Sequence, residues 1–132
     1  MQVTNVESEV GRSDREIPLT RFERAAQMWA VLAIAARNRQ ILTYEMMARA
    51  CGVPRPGVGG FLEPIQDFCL QEALPPLTAL VVGDESGMPG IGFIAASDIP
   101  RAQADVFNRD WLVGQAPSPQ DLEAAFQAAG HP

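Results

Sequence analysis

Phe22, Ala25, Ala26, Trp29, Leu32, Ala33 and Ala36 recur at the three- and four-residue steps of a single helix face. Met28, Val31 and Ile34 widen that face beyond one stripe, so this helix needs cover on more than one side. A chain built around such a helix must wrap other helices over it. The stripe ends at Arg37-Asn38-Arg39, where cations favour a helix C-terminus. With 132 residues the chain fits one domain and can bury a core without staples. The expected division is an N-terminal mobile arm over 1–19 and one domain over 20–132.

The next stretch, LTYEMMARACGVPRPGVGG over 42–60, reads as a helix-turn-helix. An extended link precedes Thr43, which caps a second helix, and Glu45 in its first turn complements the helix dipole. Met46, Met47 and Ala50 are available for the core. Gly52-Val53-Pro54 ends that helix, and a third starts near Pro56 or Gly57. Val58, Phe61, Leu62, Ile65, Phe68 and Cys69 supply its apolar face. Pro64 lies inside it, and a missing amide donor there predicts a kink or two abutting segments.

Downstream, LTALVV and IGFIA are β-rich, and the intervening GDESGMPG predicts a hairpin with a long loop. A helix from Asp98 through Val106 and Phe107 to Trp111 follows. A last helix spans 119–129, opened by Ser118-Pro119. The predicted fold is therefore mainly α with a small β-hairpin, in the order of a winged helix-turn-helix.

The residues Thr43-Tyr44, EMMARACGVPR, PGVGG and LVVGDESGMPGIGF together resemble the C-terminal winged-helix domain of alkylguanine-DNA alkyltransferases and alkyltransferase-like proteins. The resemblance covers roughly residues 40 to 95 and continues weakly into the 100–112 helix. It implies that Tyr44 presses on the phosphate of a flipped nucleotide. It also implies that Gly57, Val58, Gly59 and Gly60 form the small-residue start of a recognition helix lying close to a groove. The family's groove-inserting arginine falls at Pro56, with Arg55 adjacent. Aligning Val81 and Val82 places Thr78 and Ala79 where the family carries its acceptor cysteine and histidine. An alkyltransferase-like protein without covalent transfer is what these positions imply.

Other chemistry finds little support. The lone histidine, His131, stands beside the C-terminus, far from any nucleophile pattern. Cys51 and Cys69 lack metal-ligand spacing and read as buried reduced thiols. No catalytic residue, metal or cofactor is expected. No apolar run approaches the ~18 residues of a membrane span, and the polar start lacks a signal-peptide core, so a cytoplasmic protein without membrane partners is expected.

Charge leaves two functions open. The chain carries a net charge of -6, yet residues 21–55 hold six arginines against two glutamates. A non-catalytic DNA-binding or regulatory protein would use Arg37, Arg39, Tyr44, Arg49, Arg55, Gly57, Gly59 and Gly60. Four to six phosphate contacts predict a log-log salt slope of roughly -4 to -5. Glu63, Asp67 and Glu72 on the recognition helix oppose this use. The alternative is an acidic protein-interaction module (an adaptor, an antitoxin-like protein or an immunity-type inhibitor) whose acidic surface meets a protein partner.

Overall fold

The computed structural model of the chain describes residues 17–90, 93 and 95–131. The arm expected over 1–19 falls outside the described residues as far as position 16.

Thr20 and Glu23 form a reciprocal capping box that starts helix α1, Arg21–Arg37. Its buried residues are Ala25, Met28, Trp29, Leu32, Ala33, Ala35 and Ala36, so it is covered on more than one side. Ile34, expected on the widened face, is instead half exposed. A short strand β1, Leu42–Thr43, leads into helix α2, Tyr44–Cys51, and Thr43 Oγ1 accepts the Met46 amide at 3.0 Å. Gly52 closes α2 in the left-handed region at φ 68. A single 3-10 turn, Arg55–Gly57, precedes helix α3, Val58–Gln71. Helix α4 is Ile99–Phe107, capped by Asp98, and α5 is Pro119–Ala128, opened by a Ser118–Asp121 capping box. Helix α1 packs against α2, α3 and α5. The fold is mainly helical with one small sheet.

Several expectations need correction. Helix α2 buries Met47, Ala48 and Cys51, while Met46 is 43% exposed and Ala50 is exposed. The face toward the core is set by Tyr44, Met47, Ala48 and Cys51, a clean i, i+3, i+4, i+7 set. Phe61 and Phe68, expected on the apolar face of α3, are both partly buried against the core, and Phe68 meets Trp29 edge to face at 5.6 Å. Helix α4 stops at Phe107. Trp111 follows in a turn and donates its indole N–H to the Val106 carbonyl at 2.8 Å.

The small sheet also differs from a simple hairpin. Leu77–Leu80 is a 3-10 turn rather than strand, and only Val81–Val82 forms β2. Strand β2 pairs in parallel with β1, Leu42 opposite Val81 and Thr43 opposite Val82. An antiparallel bridge from Val82 to Pro89 closes the GDESGMPG loop. Of IGFIA, residues 91, 92 and 94 lie outside the described residues.

Pro64 does not divide α3, which is continuous through it. Proline removes the amide that would bond the carbonyl four residues earlier, here Gly60. Arg21 on α1 fills the gap, donating from Nε and Nη2 to the Gly60 oxygen at 3.0 and 2.8 Å. A cation from another helix completes the ladder.

Candidate functional site

The parallel pairing of β1 with β2 fixes the start of α2 beside the 3-10 turn at 77–80. Between them and the first turns of α3 lies a cavity of about 160 Å³. Tyr44 enters its wall from α2, and Gly59, Leu62, Glu63 and Gln66 from α3. Thr78 lines it from the 3-10 turn, and Pro89, Gly90 and Phe93 close the side of the long loop. The α3 contributors are spaced i, i+3, i+4, i+7, so a single helix face supplies them.

Two glycines shape this space. A Cβ on Gly90 would collide with the Tyr44 hydroxyl and lie 3.0 Å from its Cζ, so the ring depends on the missing side chain. Gly59 is different, because a Cβ there would meet nothing within 4 Å. Packing within the chain therefore does not demand glycine at 59, although glycine weakens a helix.

Electrostatics at the cavity differ from the linear charge pattern. The Glu63 carboxylate is held by Arg21 Nη2 at 2.8 Å. One turn further on, Asp67 lies 2.9 Å from His131 Nε2, and its side chain is only 10% exposed. Burial pushes the Asp67 carboxyl above its ordinary value, with His131 opposing. His131 stacks on Phe126 at 4.1 Å, and the Arg21 guanidinium lies 4.2 Å from the centre of that same ring. Two of the three acids expected to face a polyanion are thus paired within the protein.

The eight residues singled out from sequence do not form one patch. Tyr44 and Gly59 line the cavity, Gly57 packs beneath Phe61, and Gly60 is engaged by Arg21. Arg55 Nη2 reaches Asp84 of the long loop at 3.0 Å. Arg49 projects from α2 near Glu45, with its side chain 82% exposed. Arg37 and Arg39 belong elsewhere: Arg37 lies 3.7 Å from Asp110, and Arg39 sits over the Phe107 ring at 5.3 Å. Arg39 thus packs on the last residue of α4 and Arg37 reaches Asp110 beyond it, and none of these residues lines the cavity.

Sequence reasoning did not single out Gln66 or Phe93. Gln66 carried a usable signal: it is a polar residue within the apolar run of α3, and it is only 7% exposed. Phe93 carried none, since its place depends on a loop closure. Among the described residues no group of three or more His, Cys, Asp or Glu side chains could hold a metal ion. No described helix is long and apolar enough to cross a membrane.

No protein-family model, curated protein or solved structure matches the chain.

Proposed function

We propose that this is a non-catalytic DNA-binding protein of the winged helix-turn-helix type, docking through Tyr44 and the glycine-rich start of α3. One observation carries the reading: Glu63 and Asp67 of α3 have partners within the protein, which lessens their repulsion of phosphates at its N-terminal half. Glu63 goes to Arg21 and Asp67 to His131, leaving Glu72 beyond the far end of the helix. Thr78 and Ala79, both buried, supply no acceptor thiol, so binding is expected without alkyl transfer.

Fewer cations serve this face than the sequence suggests. With Arg37 directed to Asp110 and Arg39 to Phe107, Arg49 on α2 and Arg55 in the turn before α3 remain. Two phosphate contacts give a log-log salt slope of about -2, not -4 to -5. Fluorescence-polarisation titrations with duplex and single-stranded DNA at two salt concentrations test this. No binding at low salt would overturn the reading.

A second reading, an acidic module for a protein partner, draws on a separate surface. Val113 is 73% exposed and Leu112 45% exposed, next to Trp111 and within the acidic final third of the chain. Co-purification of a basic partner, lost on Val113→Asp, would favour it.

A further inference from the structure

The segment between α4 and α5 presents an apolar surface that no described residue covers. Asp110 Oδ1 accepts the Leu112 amide at 3.0 Å, and Gly114 takes the left-handed region at φ 82, so the chain turns tightly here. The turn displays two neighbouring aliphatic side chains, Leu112 at 45% and Val113 at 73% exposed. Single exposed aliphatics are ordinary, but these two adjoin a groove of about 210 Å³. Three linked rings line it: Phe68 meets Trp29 and Trp29 meets Trp111, both edge to face at 5.6 Å.

The groove also carries charges of both signs. Glu72, just past the end of α3, lines one part of it and Arg109 another. Glu72 accepts the neighbouring Gln71 side-chain amide at 3.2 Å and meets no cation among the described residues. Arg109 lies over the Trp111 ring at 5.1 Å and, among the described residues, makes no hydrogen bond or ion pair. One surface thus holds a protruding apolar pair, a hollow, an unpaired cation and an unpaired anion. Such a surface matches itself under a two-fold rotation, which sets unlike features of two copies against each other. A foreign partner would have to reproduce all four in the complementary arrangement.

We propose that this surface binds a second copy of the chain about a two-fold axis. Leu112 and Val113 of each copy cover the groove of the other, and Arg109 pairs across the axis with Glu72 of the partner subunit. The contact is small. The groove and its turn supply about half of the ~20–30 residues a side that a standard interface uses, so the dimer is weak, with a dissociation constant on the order of 0.1 mM. The DNA reading stands or falls independently of this contact, whereas the foreign protein considered above would compete for the same surface.

Sedimentation velocity of the full chain between about 10 µM and about 1 mM should show the mean mass rising from monomer toward dimer. Val113→Asp, at an exposed position, should leave the fold intact and weaken association about tenfold or more. Charge exchange makes the test specific. Arg109→Glu sets acids against each other across the axis and Glu72→Arg sets cations there, so each variant alone should stay mostly monomeric. Mixed in equal amounts, the two should form a heterodimer about as tight as the parent dimer, because both cross-axis pairs then join opposite charges. A parent chain still monomeric at about 1 mM would overturn the proposal and leave the groove to another occupant. A dimer that persists in both charge variants would overturn it too, by placing the contact elsewhere. So would the absence of a heterodimer from a mixture in which circular dichroism shows both variants folded.

Discussion

Arg55 and Asp84 join the turn before α3 to the loop after β2, with guanidinium and carboxylate 3.0 Å apart. Both side chains are substantially exposed, so the pair adds little stability. Asp84 competes with phosphate for this arginine, which leaves Asp84 when it makes its proposed DNA contact. Asp84→Asn should free Arg55 and remove a repulsive charge, tightening DNA binding several-fold at low salt. Arg55→Ala should weaken binding by about 1–3 kcal/mol if the contact reaches a base edge. Arg101→Ala is the control, and polarisation titrations read all three. Equal losses from Arg55→Ala and Arg101→Ala would leave the helix-turn-helix as scaffold only.

Gly59→Ala should separate stability from binding. The new methyl meets no neighbour, and alanine restricts the unfolded chain, so unfolding free energy should rise by about 0.4–1 kcal/mol. The methyl also intrudes on the cavity, so DNA should bind less well. Urea unfolding and the polarisation titration provide the readouts. A stabilised variant with unchanged binding would place the DNA contact elsewhere.

Arg21→Met retains bulk but removes both donors to the Gly60 carbonyl. Hydrogen bonds from charged groups are worth more than neutral ones, and partial exposure reduces this one, giving an expected loss of about 1–2 kcal/mol. Glu63→Gln, which touches only the exposed ion pair, should cost about 0–1 kcal/mol. Position 64 offers a sharper test. Pro64→Ala returns an amide to Gly60, so Arg21→Met should cost less in that background. Additive losses would show that the arginine does not stand in for the missing bond.

Cys69 gives a pH dependence. Burial pushes its thiol from 9.0 up to about 11, against weaker opposing effects from a Leu77 backbone hydrogen bond and Arg109. A thiol with a raised folded value contributes stability that is full below pH 9 and is lost as pH climbs through about 11. Each pH unit within that window costs up to about 1.4 kcal/mol. Urea midpoints at pH 8 and pH 10 should therefore diverge more in the parent than in Cys69→Ala. Iodoacetamide at pH 8 should leave Cys69 unmodified until the chain unfolds.

What was legible in the sequence was periodic. The α1 stripe, the Thr43 cap and the Ser118 start could each be read because caps and helix faces are set by neighbours within one turn. The face of α2 was also present in Tyr44, Met47, Ala48 and Cys51, although the choice of Met46 obscured it. The sheet was not legible, because two-residue strands carry no alternation and their parallel pairing joins segments 39 positions apart. The continuity of α3 was hidden for a related reason. Local rules break a helix at Pro64, and the remedy comes from Arg21, outside any local window. The cavity was legible only in part. Tyr44 and Gly59 came from the resemblance, whereas Thr78 stood out only for the cysteine it replaces.

The bond from Arg21 to Gly60 also bears on how the chain acquires its shape. Helix α3 is missing a rung that no residue of its own can supply, so its first half gains full protection only when the start of α1 has docked. A segment cut out at 58–71 should be a poor helix in isolation, since short helices are marginal even with every rung in place. In the whole protein the two segments should open and close together. Their amides would then exchange with solvent as one cooperative unit, with the wall of the cavity inside it.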